Sequence, residues 1–127
     1  MNLIMFRHLW GVAGEWEDLF PSFKRAGYRG IESAMPPAKE RKRFRLLLQK
    51  HGLEFIPQIF SHGKTAEDHL DSLREQIVIA KTFAPRLINA HSGKDAFSED
   101  ESIRFFEGAL RLEAQWGVAI AHETHRG

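Results

Sequence analysis

A parallel α/β fold of the form (βα)4β is the expectation for this chain, and three observations predict it. Short apolar runs alternate with amphipathic stretches, ending on a fifth apolar run. The units repeat every ~25–30 residues, the size of a strand–helix–strand building block. The helical stretches open on cap-like residues and close on glycine or proline. Such alternation means parallel strands joined by helices.

The first strand is expected over Asn2–His8. A helix over Glu15–Ala26 follows, with Leu19, Phe23 and Ala26 on one face. Pro21 should break or delay it, and Gly27 closes it. Tyr28–Glu32 is a short second strand. Ala38–His51 is a helix, because Phe44, Leu47, Leu48 and His51 recur at helical spacing, and Gly52 stops it. Leu53–Phe60 is the third strand. Thr65-Ala66-Glu67-Asp68 opens a helix whose buried face is Leu70, Leu73, Ile77 and Ala80, with Pro85 beyond its end. Arg86–Ala90 is the fourth strand. Ser98-Glu99-Asp100-Glu101 is a capping box, and its helix should bury Ile103, Phe106 and Leu110 before Gly117. Val118–Ala121 is the fifth strand.

The bulk numbers narrow the class. Residues 1–127 make a single domain by length, with 43% apolar and 28% charged residues, ordinary for a globular protein. A net charge of +1 argues against a nucleic-acid binder. There is no cysteine, which excludes disulfides and thiolate metal sites and fits a cytoplasmic protein. The apolar start is interrupted by Arg7 and His8, so neither a signal peptide nor a membrane span is expected. The basic run Lys39–Arg45 is expected to be the solvated face of a helix. Two closures of the sheet compete. An open five-stranded parallel α/β domain would be complete at this length. A closed (βα)8 barrel needs ~250 residues, so the chain would be a portion of one. No G-x-G-x-x-G follows the first strand and there is no P-loop; Gly11 and Gly14 are too weak a pattern.

Function points to the strand ends. His8, Glu32, His62, His91 and Glu123 each stand at the end of a predicted strand. Groups that end successive parallel strands converge on one rim. Alternation along a strand places Asn89 and Leu87 on the side of His91, and Ala121 and Ala119 on the side of Glu123. His122 then faces the helices. Imidazole with carboxylate suits a divalent ion such as zinc, manganese or iron. A lone strand-end histidine is ordinarily structural, and Glu32 alone could pair with Arg29 or a neighbouring basic residue; the recurrence at five ends carries the argument. The parity of His8 is ambiguous, and His51 and His69 read as surface or helix-packing groups. Trp10 is placed to wall a sugar site, and Trp116 reads as core. Arg126 could hold a phosphate or carboxylate.

Three segments resemble the sugar phosphate isomerase/epimerase family with the xylose-isomerase-like TIM barrel, which is related to endonuclease-IV-like enzymes. They are Ala26-Gly27-Tyr28-Arg29-Gly30-Ile31-Glu32, Leu87-Ile88-Asn89-Ala90-His91-Ser92-Gly93 and Ile120-Ala121-His122-Glu123-Thr124-His125-Arg126-Gly127. The resemblance covers the N-terminal half of such a protein. It implies a (βα)4β portion of a TIM barrel and a divalent metal (Mn, Mg, Co or Zn). In the isomerase pattern Glu123 is the one metal ligand present; in the endonuclease pattern His62, His91 and Glu123 share the ion. The implied chemistry is proton transfer beside a carbonyl, through an enediolate, with Glu123 as ligand and base. His8, Trp10, Glu32, His125 and Arg126 would line the pocket of a small sugar or sugar phosphate. The chain is expected to be a fragment of a longer one, because it stops inside a loop motif; if stable alone, it should pair as a homo-oligomer through its open strand edges. A non-catalytic self-associating α/β module is the alternative, and an abasic-site endonuclease fits the balanced charge less well.

Overall fold

A computed structural model describes residues 1–123, so His125 and Arg126 lie outside the described residues. Five strands and four α-helices alternate: β1 (Phe6–His8), α1 (Trp16–Arg25), β2 (Gly30–Ala34), α2 (Arg41–His51), β3 (Glu54–Phe60), α3 (Ala66–Lys81), β4 (Ile88–His91), α4 (Glu99–Trp116) and β5 (Ile120–Glu123). A short 3-10 turn, Ala38–Glu40, leads into α2. The strands form one sheet in chain order. No described helix is long and apolar enough to cross a membrane. The chain forms two compact units, Met1–Pro57 and Gln58–Gly127, with β3 running from the first into the second.

In the first unit β1 and β2 run parallel, with Phe6 opposite Gly30 and His8 opposite Glu32. Its core is aromatic. The Phe44 ring meets Trp16, Phe20 and Phe55 edge-on at 5.0, 5.3 and 4.9 Å between centroids, the arrangement favoured by ring quadrupoles. This cluster explains why α1 runs through Pro21 instead of breaking there. A proline in the sixth helical position removes one backbone bond, while burial of Phe20 and Phe23 on either side holds the helix. The buried face is therefore Phe20 and Phe23, and Ala26 is exposed. The basic run of α2 is anchored on its outer side. Arg43 contacts Glu15, Glu17 and Glu40 at 3.2, 2.6 and 3.2 Å and lies over the Trp16 ring. The Arg43 guanidinium holds the Glu17 carboxyl below its usual range. Gly30 has no room for a side chain, because a β-carbon there would collide with the Glu54 carbonyl and the Phe6 ring.

In the second unit the two capping boxes form as their sequences require. Thr65 Oγ1 accepts from Asp68 N–H while Asp68 Oδ2 accepts from Thr65 N–H, each at 3.1 Å. Ser98 and Glu101 repeat the exchange at 3.2 and 2.8 Å. Gly52 and Gly117 end α2 and α4 in left-handed conformation, φ 62° and 59°. Helix α4 is rotated from the predicted face. Ile103, Phe106 and Leu110 are 49%, 42% and 64% exposed, and Phe105, Gly108, Ala109 and Leu112 are buried. This side of α4 packs on α3: a β-carbon at Gly108 would fall 2.6 Å from Leu70 Cδ1, so a larger residue there would require the Leu70 side chain to shift. Strands β1 and β3 end where predicted, at His8 and Phe60, while β2, β4 and β5 end one or two residues later than predicted. His91 and Glu123 belong to β4 and β5, because their backbones pair opposite each other in the ladder. Trp116 is only half-buried, and its carbonyl accepts from Lys81 Nζ at 2.8 Å.

Candidate functional site

In the first unit the ladder puts His8 beside Glu32. The Leu9 N–H donates to Glu32 O at 3.1 Å, and the Trp10 N–H donates to His8 Nδ1 at 2.8 Å. An accepting Nδ1 carries no proton, so the neutral ring bears it on Nε2. Trp10 is 85% exposed, an aromatic face open to solvent. Arg29 is drawn to Glu54, 3.6 Å away. The pairing of Glu32 with Arg29 is therefore replaced by a contact to the next strand.

The second unit holds the tightest arrangement. The parallel register aligns Phe60, His91 and Glu123 as neighbours on β3, β4 and β5. His91 Nε2 lies 2.9 Å from Glu123 Oε2. Asn89 Nδ2 donates to the same oxygen at 3.3 Å. The Phe60 ring stands 4.7 Å from the His91 ring. Alternation explains the grouping: Ile88, Ala90, Val118 and Ile120 are buried, while Asn89, His91, Ala119, Ala121 and Glu123 reach the other face. Asn89 joins this group although pattern alone assigns it no role; its shared parity with His91 is the one signal in the sequence. His62 is exposed just beyond β3, its N–H bonded to Ser72 Oγ at 2.9 Å.

Behind this face two histidines point toward the helices. His122 Nδ1 sits 2.6 Å from Ser92 Oγ, and its ring packs on Phe106 and Phe105 at 5.2 and 6.5 Å. Burial pushes its pKa down, with Glu113 opposing. His69 is buried, 3% exposed, between Phe97 and Phe105. Of the two readings of His69, surface or helix packing, the structure shows the second, since its ring packs on Phe105 of α4, and adds hydrogen bonds to Ser61 and Gly63. Burial also lowers the His69 pKa; Lys94 and His62 add to this, while Gly63 O and Asp68 oppose it.

The donor chemistry of His91 and Glu123, one imidazole nitrogen and one carboxylate on adjoining strands, fits two ligands of a divalent ion. Among the described residues no three His, Cys, Asp or Glu side chains gather to hold one. His62 does not complete such a group, so further ligands would come from elsewhere. A cavity of about 190 Å³ lies beside Glu123, lined in part by Ser92, Lys94, Phe106 and His122.

No family model and no curated protein sequence matches the chain. Solved structures do. One is the probable 3-DHS dehydratase AsbF, involved in petrobactin synthesis, from Bacillus anthracis: TM-score 0.66, 16% identity, 97% of this chain and 53% of that one. Another is a sugar phosphate isomerase/epimerase from Parabacteroides distasonis: TM-score 0.69, 14% identity, 92% of this chain and 50% of that one. The chain therefore spans about half the length of the structures it matches. At these identities the likeness establishes the fold: five parallel strands alternating with helices, as in half of a TIM barrel.

Proposed function

We propose that the chain carries the first five strands of a metal-dependent sugar or sugar phosphate isomerase/epimerase. The observation that carries this reading is the His91–Glu123 contact at neighbouring strand ends, on the fold shared with such an enzyme. A dehydratase has the same fold, so fold does not select the reaction. The resemblance of the three sequence segments favours the isomerase.

Glu123 and His91 would hold a divalent ion, with the remaining donors supplied by groups other than His62. Bound there, manganese, magnesium, cobalt or zinc supplies Lewis acidity that polarises a carbonyl and its neighbouring hydroxyl. The rest falls to the chain's residues. The Glu123 carboxylate takes the proton from the carbon next to the carbonyl, leaving the electron pair in an enediolate. Asn89 and His91 both contact Oε2, so on this reading Oε1 would be the oxygen that takes the proton. Returning the proton to the neighbouring carbon isomerises the sugar; epimerisation would need a second acid to deliver a proton to the opposite face while Glu123 keeps the one it took. Phe60 packs beside His91, ring to ring at 4.7 Å. His8, Glu32 and Trp10 would bind sugar hydroxyls and ring faces, with His125 and Arg126 for a phosphate.

The test is isotope exchange. Folded, manganese-saturated protein in deuterium oxide should place deuterium beside the carbonyl of at least one ketose or ketose phosphate in a panel, seen by proton NMR. Absence of exchange across the panel overturns the reading. Elimination of water from a hydroxy-carbonyl compound would move the assignment to a dehydratase.

A further inference from the structure

His69 has no part in the proposed proton transfer, yet it is the most buried histidine of the described residues and every one of its bonds has a definite direction. His69 Nε2 lies 3.2 Å from Gly63 O. A carbonyl only accepts, so Nε2 carries the ring proton and Nδ1 of the neutral ring is an acceptor. Ser61 Oγ, 2.8 Å away, therefore donates its single proton to Nδ1, in preference to His91 O at the longer 3.4 Å. The oxygen of Ser61 then receives the Gly93 N–H at 2.8 Å. Ser61 N–H donates to His91 O at 3.0 Å. One ring thus ties the loop after β3 to α3, and through Ser61 to the backbone at and just after His91. Phe97 and Phe105 exclude water from this hub, at 4.9 and 6.2 Å from the imidazole, so solvent does not compete for the bonds.

We propose that His69 is a positioning residue: acting through Ser61, it holds the chain around His91 so that the imidazole stays aimed at Glu123. This rests on the reading of His91 and Glu123 as a metal site. Partners that orient a ligand without touching the ion typically change metal affinity by ~10–100-fold when removed.

Three variants test it: His69→Leu, which keeps bulk and loses both bonds; Ser61→Ala, a smaller change should the first fail to fold; and His69→Asn, whose amide oxygen can stand in for Nδ1. Two quantities are read, hydrogen exchange of the Gly93 amide and manganese affinity by equilibrium dialysis. The expected result is faster Gly93 exchange and about tenfold weaker manganese binding in His69→Leu and Ser61→Ala, with both restored in His69→Asn. Folded His69→Leu and Ser61→Ala proteins with wild-type manganese affinity overturn the positioning role while leaving the metal-site reading intact. Equal loss in His69→Asn and His69→Leu also overturns it, since that is the mark of packing alone. Wild-type protein that binds no manganese overturns the site reading, and the positioning role with it.

Discussion

Replacing Glu123 by glutamine separates a functional carboxylate from a structural one. The change keeps the shape and removes the charge. Glu123 meets His91 at 2.9 Å and Asn89 at 3.3 Å, both through Oε2. Its side chain is 48% exposed, against 22% for His91. Solvent screening at that exposure limits the pair to about 1 kcal/mol or less. For a chain of this size that is a fall in Tm of about 3–6 °C at most. Metal affinity should respond much more strongly. Even outer-shell changes cost ~10–100-fold, so losing a donor should cost at least about 100-fold, or ~2.7 kcal/mol. Urea unfolding of chelator-stripped protein, paired with manganese dialysis, measures both quantities. An affinity loss well above the stability loss is expected. A Glu123→Gln protein that binds manganese as tightly as wild type, or that loses more than ~3 kcal/mol without metal, would remove Glu123 from the list of ligands.

Helix α4 offers a paired test of its observed face. Phe105→Ala should cost about 3–5 kcal/mol in urea unfolding, because Phe105 is wholly buried, while Leu110→Ala on the 64% exposed side should cost under ~1 kcal/mol. Gly30→Ala should destabilise by about 3 kcal/mol, the upper part of the overpacking range, because its β-carbon would meet the Glu54 backbone carbonyl, which cannot swing aside. Acid should act in two stages. The depressed pKa of His69 means the unfolded chain binds its proton first, so the stability from the neutral ring is full above about pH 6.5 and falls as pH drops. Asp68 and Glu101 are held low by backbone N–H groups of Lys64 and Thr65, and of Ser98. Their contribution is present above about pH 4.5 and lost below it. His122, whose pKa burial also lowers, shares the upper stage, so urea midpoints across pH check both stages and His69→Asn should reduce the upper one.

The alternation of strands and helices is legible in the sequence because each element carries its own signal: apolar runs, capping boxes, glycine stops. The face of α4 is not. The stripes Ile103–Phe106–Leu110 and Phe105–Ala109–Leu112 both satisfy helical spacing, and the choice between them is made by packing against other elements, such as that of Gly108 on Leu70. A periodicity within one helix cannot contain that contact. The site divides the same way. Parity along β4 and β5 is enough to separate Glu123 from His122, since side chains alternate every residue. The hub of Ser61, His69 and Gly93 leaves no such trace, because its partners are set by loop geometry and a histidine's burial depends on finding them.

What brings His91 to Glu123 is backbone. The parallel ladder pairs Ile88 with Ile120 and, three residues on, His91 with Glu123. Buried Ile88 and Ala90 on one strand and Ile120 on the other lock that register through the core. A slip of one residue would turn Ile120 toward the other face and set His122 beside His91, while Glu123 would be driven among Phe105 and Phe106, where an unpaired carboxylate is costly. The two neighbours on β5 therefore guard each other's places: His122 suits the aromatic layer with Ser92 as its partner, and Glu123 suits the open face with His91 and Asn89. The same apolar residues that build the sheet thus select which of two adjacent titratable groups enters the candidate site.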